Sequence, residues 1–497
     1  MKRGENIVLR RGVSLCAIMV ALLVASVVVS SARAQEVTEV HVVAFGAKGD
    51  GVTMNTVAIQ KAIDAAARNS GNAKTVVFAP GTYLTGSLFV KSGVTLRIDK
   101  GVPLVGSQDL KDYPLKPTRV AGIEMTWPAA LINVYEQTNA TITGEGTIDG
   151  NGKVFWDHYW ARRAEYDPKG LRWAADYDDQ RPRLIQVYKS SEVKLGGGLL
   201  LKRPGFWTVH ICFSHDVTVD GVTIRANDET VHDDKRKGYG PSTDGVDIDS
   251  SRKVVVEHAD IENNDDAICL KAGRDADGLR VNRPTEDVVI RDSIIRVGAA
   301  GVTFGSETSG GFRNIEIYNL KTLKGVPSGI LFKSSRTRGG FGENIRIHDI
   351  MMEGTPTVLR MTMDWNPNYS NVTIPAGLKN IPPYYKVMAT PVPEEKGIAY
   401  FHDIHIWNIK ARGAHTVFDV NGNAKKPITD VRLDHFDVEA QSAGHISYAS
   451  NWTMTDMNLK VADGSSVALT GTTNITGLPK GGTPSKAKAG RNAAYEE

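Results

Sequence analysis

Short β-rich strings recur along most of this chain, many of them alternating apolar and polar positions. They begin with Val193-Lys194-Leu195, Val217-Thr218-Val219, Val254-Val255-Val256 and Val288-Val289-Ile290. Ile315-Glu316-Ile317, Ile345-Arg346-Ile347, Ile404-His405-Ile406 and Val431-Arg432-Leu433 continue the series, and each string follows an Asn, Asp, Lys or Glu. The first residues are separated by 24, 37, 34, 27, 30, 59 and 27 positions, so the 59 marks an inserted loop or a hidden repeat. Period-two alternation buries one face of a strand and exposes the other. Most units hold a second string, such as Val222-Thr223-Ile224 after Val219, which makes the unit a coil of two or three strands. A hairpin sandwich would repeat every ~8–12 residues. Units of this length predict an all-β fold, a right-handed parallel β-helix whose stacked coils bury a continuous apolar interior.

One segment has a different period. Thr56 to Arg68 places Val57, Ile59, Ala62, Ile63 and Ala66 at helical spacing, with Asn55 or Thr56 as cap. A short N-terminal helix there covers the open end of the solenoid.

The chain has 497 residues and 49 glycines, as a turn-rich fold requires. Residues 1–34 read as a signal peptide: a basic start (Lys2, Arg3, Arg10, Arg11), an apolar run from Val13 to Val29, and Ala32-Arg33-Ala34 as cleavage site. A secreted or periplasmic product follows, with no membrane attachment after cleavage. Residues 35–480 form one catalytic β-helix domain, expected to be monomeric, and residues 481–497 read as a disordered tail. The formal net charge of +3 belongs to the signal, which holds five of the basic residues and one acid. The remainder is near neutral, which gives no support to nucleic-acid binding. Cys16 leaves with the signal; Cys212 and Cys269 sit in apolar strings and read as buried free thiols.

The candidate chemistry is acidic. Asp244, in Ser242-Thr243-Asp244-Gly245, stands 21 residues before Asp265 of Asn264-Asp265-Asp266. About one repeat apart, they fall on neighbouring coils. Stacked carboxylates repel, so the fold gains nothing from them. Hydrolysis of a glycosidic bond does, because it needs one carboxylic acid and one carboxylate. Asp247 and Asp249 read as turn or supporting residues. Glu307 lies in a Gly-rich turn one coil further on, either against substrate or holding backbone. Aromatics cluster in Phe155–Trp160 with Trp173, and in Trp365, Tyr369, Tyr384 and Tyr385. Sugar C–H faces stack on such rings, so these loops are candidate cleft walls, with Trp365 and Tyr369 the substrate-contact candidates. Trp207 and His210 read as structural.

Phe45-Gly46-Ala47-Lys48-Gly49-Asp50-Gly51, the helix, Pro80-Gly81-Thr82-Tyr83 and the aspartate motifs together resemble glycoside hydrolase family 28, the polygalacturonase and rhamnogalacturonan hydrolase family. The resemblance spans residues 40–440. Of the family's N-T-D, D-D, G-H-G and R-I-K motifs, Ser242-Thr243-Asp244 matches with one change and Asp265-Asp266 in full. Gly298-Ala299-Ala300-Gly301 lacks the histidine, and Leu331-Phe332-Lys333 lacks the arginine. The resemblance implies cleavage of α-galacturonosyl bonds in pectin by inversion, without metal or cofactor. Asp265 is then the general acid, Asp244 and Asp266 hold and activate water, and Lys333 pairs with a substrate carboxylate. Arg336 and Arg338 read as a solvated basic loop. With Leu331 in place of arginine, a galacturonate–rhamnose backbone is an alternative substrate. Large loops point to exo action. A calcium-dependent lyase and a non-catalytic carbohydrate-binding solenoid are the alternatives from other classes.

Overall fold

The structure is a computed structural model that describes residues 39–71, 74–227 and 240–478. The expected signal peptide and C-terminal tail lie outside the described residues. Among the described residues, thirty-two strands join in one parallel sheet wound into a β-helix. Val193, Val217, Val254, Val288, Ile315, Ile345, Ile404 and Val431 pair in register along one column. Each sequence interval is therefore one coil. The long interval is an insertion rather than a hidden coil, because Ile345 pairs directly with Ile404.

The residue before each string explains its composition. Glu192, Asp216, Lys253, Asp287, Asn314, Asn344, Asp403 and Asp430 all adopt positive φ between 50° and 56°. The chain bends there from one strand into the next. Asn and Asp tolerate that conformation best among residues with a side chain.

Six strands form the face that carries the site. They are β1 (Val209–Cys212), β2 (Val246–Asp249), β3 (Asp266–Lys271), β4 (Ala300–Phe304), β5 (Ser328–Lys333) and β6 (Thr357–Thr362). Val209, Val246, Ile268, Val302, Ile330 and Leu359 pair in register and point into the core. Burying each contributes ~1.5–3 kcal/mol. Intervening positions point outward. One outward column runs His210, Asp247, Cys269, Thr303, Leu331 and Arg360, and the next sets Asp249 beside Lys271.

Helix α1 (Thr56–Arg68) caps the first coils, burying Ile59, Ala62, Ile63 and Ala66. Asn55 precedes it, but its side chain ties the preceding turn together, through the Lys48 N–H and carbonyl, rather than capping the helix. Cys212 and Cys269 are free and buried.

A second, smaller apolar cluster lies outside the solenoid. It joins Val120, Ile123, Trp127, Trp173, Tyr177, Phe206, Trp207, Tyr385 and Met388. Phe206 and Trp207 come from the turn into β1; the others come from an antiparallel hairpin (Leu115–Val120, Ile123–Pro128), from the helical segment in which helix α2 (Lys153–Tyr166) precedes helix α3 (Arg172–Asp178), and from the insertion between β6 and Tyr400. They form a roof over the outward face. Tyr384 and Tyr385 both donate to Asp178 and join the insertion to α3. Trp156 is fully buried, its indole N–H on the Pro204 carbonyl. Trp156, Trp173, Tyr384 and Tyr385 thus hold the roof together.

Candidate active site

Roof and face enclose a cavity. Its floor carries Trp207, Ser242, Asp244, Asp265, Asp266, Lys271, Glu307 and Lys333, and its roof Ala121, Arg172, Asp176, Trp365, Asn366 and Tyr369. All the sequence-derived candidates, Asp244, Asp265, Asp266, Glu307, Lys333, Trp365 and Tyr369, meet here. Asp244 ends the turn into β2, and Asp265 and Asp266 open β3 on the next coil. One oxygen from each of the three lies within 4.8 Å of the others. The three carboxylates converge on one point.

Two ammonium groups balance this charge. Lys333 lies 2.9 Å from Asp266 and over the Trp365 ring at 4.6 Å. Lys271, which sequence reading passed over, lies 3.1 Å from Asp244, 3.4 Å from Asp247 and 3.3 Å from Glu307. It also sits over Trp207 at 4.8 Å. Trp207 is thus a wall of the site, not the purely structural residue its sequence context suggested. The signal for Lys271 was there: it is the lone cation in Asp266-Ala267-Ile268-Cys269-Leu270-Lys271, on the outward alternation of a wholly buried strand.

Asp247 also departs from expectation. It is fully buried on the outward face of β2, against Asp244, whereas Asp249 pairs with Arg119 at 2.7 Å away from the cavity. His210 bridges Gln186 and Asp249 and is structural, as read. Arg338 contradicts the solvated-loop reading: it is fully buried and bound to Asp275, which also accepts from the Thr337 hydroxyl and the Arg274 guanidinium. Arg336 is exposed on Asp364.

The pKa directions separate the carboxylates. Burial first, then the adjacent Asp247, pushes Asp244 well above the carboxylate range. Burial likewise pushes Asp247 up to about 7, with Lys271 opposing. The two behave as a pair that keeps one proton into the neutral range. Burial would also raise Asp266 and Glu307, but Lys333 and Lys271 hold Asp266 low, and Lys271, Arg338 and Lys333 hold Glu307 low. Burial opposes the charge on Lys271, yet Cys269, Glu307, Asp244 and Asp247 around it keep it ionised. Asp265 stays half-buried, its Oδ1 accepting the Asp266 N–H at 2.9 Å.

The pair gives a sign to pH dependence. Native Asp247 holds a proton that the unfolded chain has lost above about pH 4. Its contribution to stability is complete below that pH and disappears as pH rises through about 7. Above about 7 the site also gains a negative charge, which repels an acidic substrate. We expect kcat/KM to fall across that range, and the fall to move or vanish in Asp247→Asn, whose amide stays neutral at every pH. A pH–rate profile with an unchanged alkaline limb in the variant would remove this assignment.

The motif losses have local answers. Ala300, at the place of the absent histidine, pairs with Asp266 in register, and Thr303 supplies a polar contact instead, donating to Asp266 Oδ1 at 2.8 Å. Leu331 is 2% exposed and takes no part in the cavity lining. Lys333 is not alone as a cation here: Lys271 and Arg172 also line the cavity.

The roof is fixed to this floor. Buried Arg274 donates to the Tyr177 hydroxyl at 2.9 Å and the Tyr369 carbonyl at 2.8 Å, joining both roof segments. Tyr369 donates its hydroxyl to Glu307 Oε1 at 3.1 Å. The hairpin tip turns through Ala121 (φ 40°) and Gly122 (φ 85°). A Cβ at Gly122 would stand 2.4 Å from Arg274 Cβ and 2.8 Å from Glu307 Cγ, so only glycine allows the tip this close.

Comparisons with known proteins bear on the family and the fold. The family described as "Glycosyl hydrolases family 28" matches residues 70–379. A probable polygalacturonase from Vitis vinifera is 29% identical over 335 residues, which cover 66% of this chain and 63% of that protein. An endo-polygalacturonase from Pectobacterium carotovorum subsp. carotovorum is 29% identical over 404 residues, 79% of this chain and 86% of that protein. In fold, the family 28 exopolygalacturonase of Yersinia enterocolitica superposes with a TM-score of 0.71 at 22% identity, covering 90% of this chain and 79% of that one.

Proposed function

The chain belongs to glycosyl hydrolase family 28 and is a glycoside hydrolase of the polygalacturonase kind, and we propose that it removes sugars from the end of pectic galacturonan with inversion. The supporting observation is the convergence of Asp244, Asp265 and Asp266 between the ammonium groups of Lys271 and Lys333 beneath a roof. Asp265, the half-buried member, protonates the leaving oxygen. Asp266, kept ionised by Lys333, takes a proton from the attacking water. Asp244 orients that water, and the proton held by the Asp244–Asp247 pair keeps the cluster from holding its full negative charge. Cations lining the cavity suit an acidic sugar. The N-terminal pattern of residues 1–34 supports action outside the cytoplasm.

End-wise attack follows from the roof. Helix α3 and the insertion at 363–399 are joined through Tyr384, Tyr385 and Asp178, and both line the cavity, which favours entry of a chain end over passage of a long polymer. Digestion of polygalacturonate should therefore release mono- or disaccharide from the outset, without a ladder of mid-sized products. The product's first-observed anomer, followed by proton NMR, should be the inverted one. Chelator should leave the rate unchanged, because lysines already neutralise the carboxylates. Unsaturated product lost in chelator and restored by calcium would establish a lyase instead. No reducing-end release from any galacturonan would overturn catalysis.

A further inference from the structure

The geometry points to Arg172 as a specificity-determining residue: from the roof, it grips the carboxylate of the terminal uronic acid, replacing the second cation absent at Leu331. This rests on the galacturonan reading above. Lys271 and Lys333 are already engaged with Asp244, Asp247, Glu307 and Asp266, so much of their charge balances the floor. Arg172 stands differently. Its Nη1 donates to Asp176 at 2.8 Å, but Arg181 donates to the same carboxylate at 2.8 Å. Two guanidiniums share one carboxylate, which leaves the group one positive charge in surplus.

Arg181 is fully buried, stacked at 4.0 Å on Tyr159 and 4.5 Å on Phe206, and cannot reach a ligand. The surplus therefore faces the cavity through Arg172, which lines it with its side chain 17% exposed. Among the described residues, Nε and Nη2 of Arg172 make no other hydrogen bond, so part of its planar fork remains for a carboxylate. The guanidinium lies over the Tyr369 ring at 5.1 Å, and Tyr369 is itself held by Glu307 and Arg274. Asp176 also accepts the Ser242 hydroxyl at 3.1 Å, two residues before Asp244. The roof cation is thus tied to the catalytic turn, and a sugar gripped by it lies beside the reacting carboxylates.

The test compares wild type, Arg172→Gln and Arg172→Lys on trigalacturonate and on the same trisaccharide with the released terminal carboxylate as its methyl ester. Wild type should prefer the free acid. Arg172→Gln should lower the acid-to-ester ratio of kcat/KM about 10–100-fold, the worth of a hydrogen bond to a charged group. Arg172→Lys keeps the ion pair with Asp176 but not the fork, and should lower the ratio several-fold; it serves if the glutamine variant does not fold. Equal losses on both substrates would mean that Arg172 only braces the roof, and would overturn the inference while leaving galacturonan hydrolysis standing. A wild type active on neither galacturonan nor the trisaccharide would overturn the underlying reading and the inference with it.

Discussion

Asp265→Asn should lower kcat on polygalacturonate by ~10²–10⁴-fold or more while leaving the unfolding midpoint unchanged. General acid catalysis accounts for a factor of that size. Asparagine keeps the shape and the acceptor oxygen that receives the Asp266 N–H, so the turn into β3 survives. Asp265 is half-buried. The substitution removes a proton donor at nearly constant side-chain size. The kinetics should be measured beside thermal unfolding of both proteins. Near-normal turnover in a folded Asp265→Asn protein would transfer the role of acid to the proton-holding Asp244–Asp247 pair.

Lys271→Met carries the opposite signature, a loss of stability together with activity. The ammonium serves three buried carboxylates, Asp244, Asp247 and Glu307. Removing one partner of a buried ion pair costs ~3–5 kcal/mol, because the remaining charge is uncompensated. The carboxylates can escape part of that cost by taking up protons. The variant should therefore be strongly destabilised at neutral pH and less so near pH 5, with kcat/KM reduced at both. Denaturant unfolding of wild type and variant at the two pH values decides it. A midpoint unchanged at pH 7 would show that the ammonium does not hold these three carboxylates together. Lys271→Arg should recover more stability than activity, since a wider head group crowds Trp207.

The coils were legible in the order of residues because each obeys a local rule. A string of β-branched residues makes a strand, and the Asn or Asp before it takes the positive φ of the bend, as at Asp216, Asn314 and Asn344. Repetition then specifies the stack, since every coil must bury its apolar face on the next. The clustering of Asp244 with Asp265 and Asp266 was legible for the same reason: one repeat of separation means neighbouring coils. Leu331 and Lys333 lie on one outward face by simple alternation, as does Lys271.

The roof was not legible, because its contacts cross long stretches of chain with no repeating pattern. Nothing local joins Arg172 to Tyr369, Tyr384 to Asp178, or Arg274 to Tyr177. Nor does any spacing reveal that Arg338 turns inward to Asp275. Alternation and repeat length, which depend only on neighbouring residues, determined the solenoid and the face on which Asp244, Asp265 and Asp266 meet. Whether that face is an open groove or a covered pocket, and which cations line it, was decided by tertiary packing. Each insertion had to bury its aromatic side chains somewhere, and only the folded coil offered the surface.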